Sequence, residues 1–195
     1  MHRTDLLQQL ETYGKSSLIT SQERITLDRF FDFVTNNEHC FERGNPGHIT
    51  SSAWLINAQK THALLTHHKK FNEWMQLGGH NDGNSDCKSV ALQEGLEESG
   101  ITGLSFVYPG IFDIDIHAIP SACLYHYDVR YVLQAPENSV YNVSEESHDL
   151  AWVHFDNMHE YKANASVLRM NEKCRNFLQT NNTQSEQVQV AQLNL

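Results

Sequence analysis

Apolar positions change their period along this chain. In "LITSQERITLDRFFDFVTNN", Leu27, Phe30, Phe31 and Val34 follow helical spacing, and Thr20 with Glu23 forms a capping box that starts the helix. The first 36 residues read as helical, and this stripe reads as core packing. "ERGNPGHIT" breaks the pattern with Gly44, Pro46 and Gly47 and reads as a loop. "SSAWLINA" and "HALLTHH" are apolar and β-rich, and the polar "QKT" between them predicts a hairpin. "FNEWMQLGGHNDGNSD" predicts a short strand and a glycine-rich turn. A helix from about Asp86 to Ser99 follows, stopped by Gly100. "LSFVYP", "IFDIDIHAI", "LYHYDVRYVL" and "DLAWVHF" read as strands. "NASVLRMNEKCRNFLQ" reads as a final helix with Val167, Met170, Cys174 and Phe177 or Leu178 on one side. The tail "TNNTQSEQVQVAQLNL" is polar and rich in Gln and Asn, so disorder is expected over part of it. Strands on both sides of a central helix, with helices at each end, define an α/β (α+β) chain around a mixed sheet.

Composition narrows the partners. The chain has 195 residues, 39% of them hydrophobic and 10% aromatic, which fits one globular domain with a helical extension. Fourteen Lys and Arg against 24 Asp and Glu give a formal charge of −10, which argues against a nucleic acid polymer as partner. A local basic site would still hold phosphates. No apolar run approaches a membrane span and the opening "MHRTDLLQQLETYG" lacks a signal-peptide apolar region, so a cytoplasmic protein with no membrane partner is expected. Cys40, Cys87, Cys123 and Cys174 are far apart and read as reduced, structural thiols.

The chemistry is concentrated in "ALQEGLEESGI". Glu94, Glu97 and Glu98 share one helix face by i,i+3 and i,i+4 spacing, near the negative end of the helix dipole. Like charges so spaced cost about 0.2–0.5 kcal/mol per pair. A hard divalent cation would remove the penalty; a solvated acidic face is the other reading. Asp113, Asp115 and His117 alternate along one strand, as do His126, Asp128 and Arg130 along the next. They are either a wall for substrate or a second metal, with Arg130 on a phosphate, or a solvent-facing sheet surface with ordinary salt bridges. His67, His68, Lys69 and Lys70 form a basic patch that reads as a solvated hairpin end, with phosphate contact as the other reading; His48 reads as a loop histidine, and His80 as a residue able to reach a cleft. None of these histidines has recognisable zinc-ligand spacing, so no zinc site is expected.

The segment from Gly79 to Ile101, "GHNDGNSDCKSVALQEGLEESGI", resembles the Nudix box, G-x5-E-x7-R-E-U-x-E-E-x-G-U with U aliphatic. Gly79, Glu94, Glu97, Glu98, Gly100 and Ile101 match in register. Ser85 stands at the upstream glutamate position, Gln93 at the arginine and Gly95 at the first aliphatic position. The strand order around the box also looks like a whole Nudix domain, from about Gly47 to Glu160, and the stretches "PGHIT", "HHKK", "LGGHNDG" and "HYDVRY" further resemble a bacterial subgroup of Nudix hydrolases.

The resemblance implies a Nudix-like α/β/α sandwich over 47–180, with helical residues 1–46 packed on it and 181–195 as a polar, disordered tail. It further implies hydrolysis of a pyrophosphate bond in a small nucleoside-diphosphate-linked metabolite, using Mg²⁺ or Mn²⁺. Glu94, Glu97 and Glu98 would be metal ligands, with the Gly79 carbonyl, and one carboxylate would orient or deprotonate water. Other family members take the base from a loop, and Glu145 or Glu146 would fill that role here; an exposed acidic turn is the other reading. The altered scaffold positions also suit a catalytically weak nucleotide-binding or regulatory protein. A Nudix-fold isomerase would need a cysteine in the cleft, and none of the four shows that signature. A homodimer is the default expectation for assembly.

Overall fold

Strand β1 (Gly47–Ile56) is buried along its whole length. In the computed structural model, which describes residues 2–44, 46–118 and 125–193, β1 holds the sheet together. It runs parallel to β7 (Tyr125–Gln134) over ten residue pairs, from Gly47↔Tyr125 to Ile56↔Gln134. On its other side it pairs with β4 (Leu77–His80) antiparallel, Thr50 opposite His80 and Ser51 opposite Gly79. The expected hairpin to β2 (His62–His68) closes only at Ile56↔Ala63. Beyond that point β2 pairs with β3 (Glu73–Met75) and with β8 (Ser147–His154). The sheet is completed by β5 (Ser105–Phe106), only two residues long, and β6 (Asp113–Ala118), both antiparallel to β7. The sheet is therefore mixed, as expected, and curls through these branched pairings.

Alternation along the strands sends one set of side chains to each face. Ile49, Tyr127, Val129 and Tyr131 pack against α1 (His2–Gly14), α2 (Ser21–Asn36) and α3 (Cys87–Ser99), with Leu10, Phe30 and Ala91 in one core. Phe33 stacks on Tyr127 at 3.8 Å between ring centres. Trp54 and Val132 face the other way, onto Val167, Met170 and Cys174 of α4 (Ala165–Leu193). Helices cover both faces, so β1 is buried on both sides, its polar His48, Thr50, Ser51 and Ser52 included. The capping box at Thr20 and Glu23 is present.

Helix α4 continues to Leu193, through most of the stretch read as a polar tail. Gln is the commonest residue there and is a good helix former. No helix among the described residues is long and apolar enough to cross a membrane.

Candidate active site

Asp86 caps α3 by accepting a hydrogen bond from the Ser89 amide at 3.0 Å, and Gly100 ends the helix with φ 69°. These two stops aim the acidic face at the β4 turn, where Gly78 and Gly79 expose backbone instead of side chain. Glu94 lies against Gly79: a Cβ on that glycine would stand 2.5 Å from the carboxyl carbon. Glu98 is only 7% exposed and accepts from the Gly78 amide at 3.4 Å. Its Oε2 is buried and has no partner among the described residues. Glu97 is exposed and accepts from the Gln93 side chain at 2.8 Å, so the three glutamates divide into two inward and one outward.

Burial, reinforced by the charges of Glu97, Glu146 and Asp82, raises the Glu94 pKa to about 7. Burial and the charge of Glu94 raise Glu98 to about 8. Glu146 therefore bears electrostatically on both inward carboxylates, whereas Glu145 is fixed through its carbonyl, which accepts from Lys69 Nζ at 2.6 Å. Sequence reasoning missed Arg43 and Asp82. Arg43 grips Asp82 with two bonds of 2.6 and 2.7 Å, and its charge favours ionised Glu94. Nothing in the chain marks this pair, whose members lie 39 positions apart in two separate loops.

The residues present fit a hard divalent cation. An unpaired buried carboxylate oxygen beside a second carboxylate is costly without a positive partner, and Mg²⁺ or Mn²⁺ takes such oxygens. Glu94, Glu98 and the Gly79 backbone would hold it, joined by Glu97 once it leaves Gln93.

The two polar strands do come together. Asp113 pairs with Arg130, Asp115 with Asp128 and His117 with His126 across β6 and β7. The structure buries Asp113, Asp128 and Arg130 in an ion network with half-buried Asp115, and it leaves Arg130 no face for a phosphate. Arg130 is 2% exposed and contacts Asp128 at 2.7 Å, Asp115 at 3.0 Å and Asp113 at 3.3 Å. Ser52 and Thr50 also donate to Asp128. From α4, Arg169 reaches Asp113 at 2.7 Å, and Lys173 bridges Asp113 to Glu23 of α2. Burial opposes ionisation of Asp115, but His117, Arg130, Ser166 and Arg169 together hold its pKa below the usual range. At Asp113 burial prevails and raises it. The network joins the terminal helices to the sheet, a place that alternation alone did not reveal.

His117 sits 3.8 Å from Asp115 and 5.3 Å, ring to ring, from His126. His126 in turn meets His48 and His80 at 4.8 and 5.0 Å. Burial lowers His80 to about 4 and His126 to about 3 and also lowers His48, so all three rings are neutral near pH 7. His67 stacks on Trp74 at the rim of a cavity of about 760 Å³ that Tyr161 and Lys162 also line. Cys40, Cys87 and Cys174 are free and buried, and burial raises their thiols to about 11, 12 and 12. None is a reactive cleft cysteine; Cys123 lies outside the described residues.

No family model matches the chain, and no curated protein matches it. Solved structures do. A Nudix-family hydrolase from Clostridium perfringens matches at 19% identity and TM-score 0.59, over 67% of this chain and 97% of that one. An Ap4A hydrolase from C. elegans, solved as a binary complex, matches at 17% identity and TM-score 0.60, over 68% and 98%. The Nudix domain of Shewanella oneidensis NrtR, solved with ADP ribose, matches at 13% and 0.53, over 75% and 97%. The chain has the Nudix fold.

Proposed function

We propose that this protein is a metal-dependent Nudix hydrolase that cleaves a pyrophosphate bond in a small, nucleoside-diphosphate-linked metabolite. The observation that carries this reading is the pair of inward carboxylates, half-buried Glu94 and buried Glu98, set against Gly79 and Gly78 with Glu98 Oε2 unpaired. A bound Mg²⁺ or Mn²⁺ would neutralise the diphosphate and acidify a water. The two inward glutamates position that site, and their raised affinity for protons suits one of them to take the proton as water attacks phosphorus and a phosphate leaves. Glu146 stands on the same side as a second base, and Arg43 offers a cation at the rim for a phosphate oxygen. Glu97 is exposed, so turning it from Gln93 to a ligand position costs little.

A second reading, a nucleotide-binding protein that hydrolyses little, is favoured by the Gln93–Glu97 bond, which occupies the acid least able to reach inward. One experiment separates them: phosphate or nucleotide release from a panel of pyrophosphate-containing metabolites with Mg²⁺, Mn²⁺ or EDTA, for wild type, Glu97→Gln and Glu98→Gln. Metal-dependent turnover that collapses in Glu98→Gln supports the enzyme. Binding of the same compounds without turnover supports the second reading.

A further inference from the structure

Three imidazoles from three adjacent strands converge on the sheet face opposite the glutamates. His48 lies beside His126 in the parallel β1–β7 register, and His80 is opposite Thr50, two residues along β1. One nitrogen from each ring lies within 4.8 Å of the others, the one such His, Cys, Asp or Glu group among the described residues. We propose that His48, His80 and His126 bind a single transition-metal ion of the Zn²⁺ class, separate from the carboxylate site.

Stacking alone does not account for the cluster. His48 is 3% exposed, and neither of its ring nitrogens has a hydrogen-bond partner among the described residues. The Gly44 backbone stands near enough to favour a charged ring, yet no nitrogen–acceptor pair there meets hydrogen-bond geometry. A buried imidazole with two idle nitrogens is expensive unless a ligand takes one lone pair. Neutral imidazoles are the form that binds metal, and three of them select borderline cations such as Zn²⁺ or Co²⁺ over oxygen-seeking Mg²⁺. Three histidines leave a fourth position for water or another ligand. His117, itself beside Asp115, flanks His126 on the outer side. The rings ride on paired strands, a rigid support, and ring rotations would draw the nitrogens in to coordination distance.

Gly79 and His80 are consecutive in β4, so their side-chain directions are opposed: Gly79 faces Glu94 and His80 faces the histidines. The two sites can therefore be tested independently. The metal-free full chain, without an affinity tag, would be titrated with Co²⁺, followed by the visible bands of low-coordinate cobalt and then by displacement with Zn²⁺. The expected result is one equivalent with intense bands, lost in His126→Asn and His48→Asn and kept in Glu98→Gln and in the surface control His148→Asn. Absence of the bands in wild type overturns the proposal without involving any variant's folding. Bands that survive in His126→Asn assign the ion to surface histidines and overturn it equally. Bands lost in Glu98→Gln but kept in His48→Asn would place the ion in the carboxylate site and also overturn it.

Discussion

Glu94 fills the space that a side chain on Gly79 would need, its carboxyl carbon 2.5 Å from where the Cβ would stand. The glycine is thus required by the glutamate and not by a turn. In Gly79→Ala the methyl must displace Glu94 while the strand pairing to Ser51 is kept. Turnover of the best substrate should fall about 10²-fold, as for a displacement of about 1 Å at a reacting centre, with an unchanged circular dichroism spectrum. Full activity in a folded Gly79→Ala would remove Glu94 from the site.

Glu94 and Glu98 make the metal-free protein sensitive to alkali. Both hold protons more tightly folded than unfolded, against an ordinary value of 4.5, with folded values of about 7 and about 8. The stability they contribute is complete below about pH 4.5 and is lost as pH climbs through 7 and 8. In EDTA, the melting temperature should fall by about 5 °C between pH 6 and 9, for a chain of this size. Mg²⁺ or Mn²⁺ should restore it, and Glu98→Gln should flatten the profile. A flat wild-type profile in EDTA would show that these carboxylates ionise freely.

Arg130 is a stability residue. Its removal strands Asp113, Asp115 and Asp128, two of them fully buried beside it. Breaking such a network by deleting one member costs about 3–5 kcal/mol. Arg130→Met should therefore lower the melting temperature by about 10 °C. Under the phosphate-binding alternative, Arg130→Met would raise KM and leave the melting temperature near that of wild type.

The sequence pattern located α3 and its Gly100 stop, the capping box at Thr20 and the strands that carry Asp113 to Arg130, because these are set by local spacing and caps. It could not place what depends on long-range pairing. The parallel β1–β7 ladder joins residues 78 positions apart, and only that ladder puts His48 beside His126. Ligand spacing in sequence does not register the convergence of these histidines, since no single element carries two of them. The burial of Asp113 and Arg130 was equally hidden: alternation shows that residues share a face, while α4, far along the chain, decides which face is covered. The outward turn of Glu97 follows from Gln93, a contact that i,i+4 spacing permits but does not specify.

Gly95 stands inside α3, where a glycine costs about 1 kcal/mol of helix propensity relative to alanine. The packing gives it a purpose. A Cβ there would stand 3.1 Å from Leu133, 3.2 Å from Leu104 and 3.4 Å from Ala53, so the glycine lets α3 lie close on the sheet. That closeness seats Glu94 and Glu98 on the β4 backbone. Gly95→Ala sets a gain in helix propensity against a tight fit and should change stability by less than about 1 kcal/mol. Gly95→Leu, which restores the aliphatic type of the Nudix box, should instead overpack the interface and cost about 1–3 kcal/mol. It should also lower turnover by lifting the two glutamates from Gly78 and Gly79. Chemical denaturation of both variants measures the first effect and the hydrolysis assay the second. A Gly95→Leu protein as stable and active as wild type would mean that helix and sheet have room to spare, and that the closeness of α3 does not set the acid site.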